Sequence, residues 1–374
     1  MSALFADIST PFINAVTTRR VLSPAVKENI FQGIMLKPGE AVTEKFSEDT
    51  DASEIQVLRV KPQTDDAREI GADTNGDWFN SESNLTSSTE AYGIQILQMI
   101  DRNIVVPTNS QDMVSVDLLE SETRNLSGKV NRNINAVTIA AMLAKNFNNI
   151  AGVDKRNSNA AAVEIDEVTS NWVTLASGGT YTDAIIDAGA ALDNGNPDQG
   201  IDAYPDNYRA CIIRPTIKAQ VLKNMTGLYG GTAVFDVLRK AGLDTGATPQ
   251  VATSGYVGEI DNMPVYCASG VIWSLVEKYL GMTAGALNNL AGIVVSGVGT
   301  GRALAFNKAI KVIDAQAGQG LLLQPKYRFG AECWDPLSVV PIFSATFTNP
   351  VTATTNALYV RGNASRTASD DAGG

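Results

Sequence analysis

Residues 109–146, NSQDMVSVDLLESETRNLSGKVNRNINAVTIAAMLAKN, decide how the rest of the chain is read. Val116, Leu119, Leu126, Val130, Ile134, Val137 and Ala141 recur three, four or seven residues apart, so they share one stripe of a single helix. Pro107-Thr108-Asn109-Ser110 stops an extended segment and supplies N-cap candidates. Asp112 and Asp117 place negative charge in or near the first turns, where the helix dipole favours it. At 1.5 Å per residue this helix is roughly 50 Å long. A narrow apolar stripe on so long a rod, without a heptad repeat, predicts a spine along which other parts of the chain or other copies pack. A long surface helix of an enzyme is the alternative.

Working outward, composition narrows the field. The chain has 374 residues, of which 44% are hydrophobic, enough to bury a core. Only 18% are charged, which suits a surface largely covered by neighbours. The formal net charge of −11 argues against gripping nucleic acid, since binding there is driven by counterions released to Lys and Arg. There is no histidine, which removes His-based zinc sites, nucleophile activation by His, and His acid–base catalysis. Cys211, Cys267 and Cys333 are isolated and odd in number, so they read as small buried hydrophobes. No signal peptide or membrane-spanning run is expected, so the protein is expected to be intracellular or built into an assembly inside a cell.

Before the spine, residues 1–50 alternate apolar clusters with Pro11, Pro24, Gly33, Pro38 and Gly39, the pattern of an arm with one short helix near 24–32. Residues 55–61 and 92–100 read as two strands. The polar excursion between them carries Asp65, Asp66, Glu69, Asp73, Asp77, Glu82 and Glu90 against Arg68 alone. Loops of this length are usually functional or disordered. Beyond the spine, 148–161 reads as a polar linker, 181–192 as a helix and 208–213 as a buried strand. Residues 215–224 read as a helix with proline at its start, 256–268 as two strands about Asp261-Asn262, and 273–280 as a helical segment. Strands follow at 293–296, 303–306, 310–314 and within 320–343. Short strands mixed with helices give an α+β class. The tail from Thr348 is polar and is expected to be mobile past Arg361.

Gly297-Val-Gly299-Thr-Gly301 after the strand IVVS is the sharpest enzyme-like feature. Its spacing is not that of a dinucleotide loop and no helix follows, so a hairpin or surface loop is expected. Gly227-Leu-Tyr-Gly230-Gly231 lacks the Lys-Ser/Thr ending of a phosphate loop. The acidic excursion holds no twelve-residue calcium loop, so no metal, cofactor or catalytic residue is assigned. Trp78-Phe79 inside that excursion reads as an anchor for a partner's pocket. Over 121–156 the spine and its exit carry Arg124, Lys129, Arg132, Lys145, Lys155 and Arg156 against only Glu122 and Asp154, a basic stretch. An acidic loop and a basic rod can attract each other between copies; two solvated faces are the alternative.

The order of arm, extended two-stranded loop, spine helix and α+β domain resembles the major capsid proteins of tailed bacteriophages, the fold named after phage Hong Kong ninety-seven. Gly255-Tyr-Val-Gly-Glu-Ile-Asp-Asn-Met-Pro-Val-Tyr-Cys-Ala-Ser269 is similar to the family's axial-domain hairpin, with Asn262 where a glycine is usual. Asn tolerates a left-handed backbone, so the turn is expected to survive. Arg209-Ala-Cys-Ile-Ile-Arg-Pro215, with Leu222 further on, resembles the strand-to-helix step of the same domain. The resemblance implies an arm at 1–50, an extended loop at 51–107, and spine helix and peripheral domain at 108–180. It implies an axial domain at 181–320, strands returning to the peripheral domain at 321–347, and a tail at 348–374.

It also implies a non-enzymatic shell subunit that self-assembles into hexamers and pentamers around double-stranded DNA, in a virion assembled in host cytoplasm. Asp65, Asp66, Glu69, Asp73, Asp77, Trp78, Phe79, Arg124, Lys129 and Arg132 would then be inter-subunit contacts. Scaffolding, portal and decoration proteins are the further partners it admits, with DNA enclosed without sequence reading and no membrane. No lysine occurs from Pro62 to Gly128, so the loop-lysine crosslink of some relatives is not expected. An encapsulin-like compartment is the alternative on the same fold, and a nucleotide-binding enzyme using 297–301 the alternative of another class.

Overall fold

The computed structural model of the chain describes residues 54–60, 89–95, 97–100, 104–154, 163–164, 171–196, 201–229, 255–305, 310–314 and 320–346, with positions 348, 349, 351 and 358. In chain order, β1 (Glu54–Val60) pairs antiparallel with β2 (Thr89–Gln95), Glu54 opposite Gln95 and Val60 opposite Thr89. β3 (Leu97–Ile100) and β4 (Ile104–Pro107) come next, and α1 (Thr108–Ile150) starts on the following residue. At 43 residues α1 is about 65 Å long. It runs past the expected end at Asn146, and the linker expected after it contains a small ladder, β5 (Val153–Asp154) with β6 (Val163–Glu164).

Then follow β7 (Val173–Thr174), α2 (Tyr181–Asp193), β8 (Arg209–Ile213) and α3 (Pro215–Tyr229). β9 (Tyr256–Ile260) and β10 (Met263–Cys267) form a hairpin and lead to α4 (Gly270–Leu280). β11 (Leu290–Ser296), β12 (Thr300–Ala305), β13 (Ile310–Asp314), β14 (Gly320–Cys333) and β15 (Val339–Phe343) complete the set. The protein is α+β.

One sheet has six strands in the order β7-β15-β11-β8-β10-β9. Every residue of β8, β11 and β15 is buried, which explains why RACII, LAGIVVS and VVPIF are continuous rather than alternating: both faces of the sheet are covered. Ala210, Ile212, Ile293, Val295, Val339 and Phe343 face the core shared with α1 and α4. Cys211, Ile213, Val294, Val340 and Ile342 face α2 and α3, meeting Ala184, Ile185, Ala188, Leu192, Ile217 and Val221. The layers are helix, sheet, helix. The stripe read from α2 is its buried face, and Thr180 closes a capping box with Asp183 at its start.

The second sheet is built around β14. Along one edge β14 pairs with β12 (Arg328–Cys333) and β13 (321–325). Along the other it pairs with β3 (Lys326–Phe329) and β4 (320–323), so Arg328 and Phe329 have partners on both sides. Within 320–343, β14 lies in this sheet and β15 in the six-stranded one.

The narrow stripe of α1 needs correction over its second half. Every residue from Ile134 to Ala144 is buried, not one face alone, because α4, the six-stranded sheet and β14 enclose the helix. Among the predicted stripe positions, Val130, Ile134, Val137 and Ala141 are buried as expected. Each fully buried aliphatic side chain contributes about 1.5–3 kcal/mol. The buried hydroxyl of Thr138 donates to the carbonyl of Ile134, which keeps it satisfied inside this core.

The segment after Thr348 is also tied to α1. Asn349 Nδ2 donates to the carbonyl of Phe147, Val351 is buried, and the Asn148 amide accepts from and donates to the backbone of Leu358. The positions past Arg361 lie outside the described residues, as does the short helix expected near 24–32.

Candidate functional site

The polar chemistry of the described core gathers where the chain crosses between its two sheets. One crossing, Gly297 to Thr300, links β11 to β12; the other, Trp334 to Ser338, links β14 to β15. Asp335 precedes a short 3-10 turn at Pro336–Ser338, and its carboxylate caps that turn by accepting from the Leu337 N–H at 3.1 Å. The same oxygen, Oδ1, accepts from Asn196 Nδ2 at 3.0 Å, and Oδ2 accepts from the Tyr204 hydroxyl at 2.5 Å. Asp335 is 0% exposed, so these three donors replace its hydration. Burial, and then the neighbouring Asp335, push the Tyr204 phenol well above its ordinary range. It stays a donor.

The glycine run sits in the same place. The Gly299 carbonyl accepts from the N–H groups of Trp334 (3.0 Å) and Asp335 (3.3 Å), and the Gly297 N–H donates to the carbonyl of Tyr208 (2.9 Å). A Cβ on Gly299 would lie 2.1 Å from Ser338 Oγ. The run is buried and joins two sheets, so the expected hairpin or surface loop is corrected. The Gly297 N–H, which a phosphate cradle would need as a donor, is already engaged by the carbonyl of Tyr208. The local sequence misled because β12 finds its partner in β14, not in the strand before it.

Two further polar clusters support the sheet from its ends. Arg209, at the start of β8, is 5% exposed. Its guanidinium donates to the carbonyls of Tyr204 and Gly189 and pairs with Asp193 (2.6 Å) and Asp206 (3.2 Å). This pins the segment between α2 and β8. On the opposite face, Glu277 is buried and accepts from the N–H groups of Gly285 (2.9 Å) and Leu287 (3.0 Å). Arg214 lies 5.0 Å over the Trp273 ring and 3.9 Å from Glu277; burial lowers its pKa and Glu277 opposes that shift. All these groups hold neighbouring segments in place. Burial raises the thiols of Cys211 and Cys333, the latter to about 12, so neither is a thiolate near neutral pH. Among the described residues no group of three His, Cys, Asp or Glu is placed to hold a metal ion.

Of the residues singled out as inter-subunit contacts, Asp65, Asp66, Glu69, Asp73, Asp77, Trp78 and Phe79 lie outside the described residues. Arg124 falls on the α1 backbone, Lys129 is half-buried and Arg132 is exposed on the same helix. Sequence reading missed Asp335, Tyr204, Asn196 and Asn146. Only Asp335-Pro336 carried a local signal, as a turn-capping pair.

No family model matches the sequence, and no curated protein matches it. Among solved structures the chain is similar to the capsid of the cyanophage P-SCSP1u, with 13% identity over 80% of this chain and 86% of that one and a TM-score of 0.45. It is similar to the capsid of Ralstonia phage GP4, with 12% identity over 83% and 87% and a TM-score of 0.45. It is also similar to the head of Helicobacter pylori bacteriophage KHP40, with 12% identity over 80% and 87% and a TM-score of 0.47.

Proposed function

We propose that this chain is the major capsid protein of a tailed phage, self-assembling into hexamers and pentamers that close an icosahedral shell around double-stranded DNA. The observation that carries the reading is the order of the described elements, the β1–β2 ribbon, then β3 and β4, then the 43-residue α1. A two-stranded ribbon is marginal by itself, so a ribbon whose outer edges pair with no described strand fits a surface that reaches a neighbour. The hairpin at 255–269 adds to it. Asp261 and Asn262 both have left-handed φ, 51° and 59°, the turn the resemblance required of Asn262.

The work such a subunit does is geometric. Many modest contacts repeat by closed symmetry, and no single one needs to be strong. The acidic stretch at 62–91 supplies negative charge to the basic positions Arg124, Lys129 and Arg132 of the next copy, which sets register and partner choice. The arm at 1–50 adds contact area. A net charge of −11 lets the shell enclose DNA without gripping it. The virion is its location and host cytoplasm its place of assembly.

Size-exclusion chromatography and negative-stain microscopy of the purified chain test the reading. Shells, rings or sheets are expected. A stable monomer that binds nucleotide would overturn it, and particles that enclose protein cargo but never DNA would favour the encapsulin-like compartment.

A further inference from the structure

We propose that the paired crossings, Gly297–Thr300 and Trp334–Ser338, form a fixed joint that sets the angle between the two sheets, with Asp335 as its positioning residue. That this angle sets the curvature of the assembled shell is a second clause, and it rests on the capsid reading.

A hinge needs backbone that can change φ and ψ without losing buried partners. This place is built the opposite way. The two crossings are bonded to each other through the Gly299 carbonyl, which accepts from Trp334 and Asp335. The approach is as close as the backbone allows, since a Cβ on Gly299 would lie 2.1 Å from Ser338 Oγ and 2.8 Å from the Cβ of Asp335. The Asp335 carbonyl accepts from the Ser338 hydroxyl (2.6 Å) and N–H (3.2 Å). From α1, Asn146 Nδ2 reaches the carbonyls of Val339 (3.0 Å) and Pro336 (3.4 Å). From the segment between α2 and β8 come Asn196 and Tyr204, and Gly297 is tied to Tyr208. Regions far apart in sequence thus converge on Asp335, which is 0% exposed, so a bond that opens there exposes a buried polar group. Rotating one sheet against the other here would break several of these bonds together, so the pair of crossings moves as one body with both sheets.

The test is amide hydrogen exchange on the full chain, read at residues 297, 334 and 335, followed by particle diameters from microscopy. In the wild-type chain these three amides are expected to be protected within about tenfold of the Ala210–Ile212 amides of β8. Exchange as fast as that of the exposed Asp261-Asn262 turn would show a hinge and overturn the joint. Asp335→Asn turns an acceptor toward its donors with only half its capacity. It is expected to speed exchange at 297, 334 and 335 at least tenfold while β8 stays protected, and to broaden the diameter distribution. Should Asp335→Asn not fold, Ser338→Ala, which removes only one bond to the Asp335 carbonyl, gives the same readout with a smaller change. If the joint amides accelerate only together with β8, Asp335 has no local positioning role and that assignment fails. If they accelerate alone and diameters stay at wild-type width, the curvature clause fails. If the wild-type chain forms no particles, the capsid reading falls with the curvature clause, and exchange alone still decides the joint.

Discussion

The phenol of Tyr204 donates a 2.5 Å hydrogen bond to Oδ2 of Asp335, joining two fully buried residues 131 positions apart in the chain. Neither lies in a motif, yet together they connect the loop after α2 to the crossing between β14 and β15. Tyr204→Phe keeps the ring and removes the donor. It is expected to lower stability by about 1–3 kcal/mol, the cost of an under-satisfied buried acceptor. A urea melt measures it, and an unchanged midpoint would show that Asp335 does not depend on this bond.

Alkaline pH should weaken the fold. Burial raises the Cys211 and Cys333 thiols, Cys333 to about 12, while in the unfolded chain thiols ionise near pH 8.5. A group whose folded pKa is raised stabilises the fold fully below its unfolded pKa, and that contribution is lost as pH rises toward the folded value. Stability is therefore expected to fall from about pH 9 toward pH 12, with Tyr204 adding to the fall from about pH 10. Urea midpoints at neutral and alkaline pH check this, and the Cys211→Ala, Cys333→Ala double variant should show a shallower decline.

Val130→Asp tests the burial of α1 at Val130. Val130 is 3% exposed and belongs to the core shared with α4 and β14. An unpaired carboxylate there should cost several kcal/mol, of order 3–5, or leave the chain insoluble. A soluble variant with wild-type melting would place Val130 outside the core.

Deleting Asp65–Phe79 tests the reach of the acidic segment. The proposed function expects a folded subunit, with circular dichroism close to wild type, that forms no shells or distorted ones. Normal shells from the deletion would refute the bridging role of Asp65, Asp66, Glu69, Asp73, Asp77, Trp78 and Phe79.

What the sequence made legible was local. The periodicity of Ala184, Ile185, Ala188 and Leu192 named the buried face of α2, and Asp261-Asn262 named a left-handed turn. β8 and β13 were placed almost to the residue, because apolar runs flanked by breakers need only their neighbours to be read. What depended on distant partners was hidden. Gly299 reads like any loop glycine until Ser338 is seen against it, and Asn146 reads as a helix end until the carbonyl of Val339 is found beneath it. The full enclosure of 134–144 could not be read from its stripe either. Ala136, Ala140 and Thr138 are small enough to suit either face, and the strands and helix that cover them come much later in the sequence.

β14 has one more consequence, and it concerns time. Both edges of this strand are filled by shorter strands, two of which, β3 and β4, precede α1. About 210 residues separate Pro107 from Gly320, and at about 5–20 residues per second a ribosome needs roughly ten to forty seconds to make them. Throughout that interval β3 and β4 are in the nascent chain without the strand they pair with. The second sheet acquires its centre only once β14 has been made, so a chain that has not reached it cannot present the completed surface to another copy.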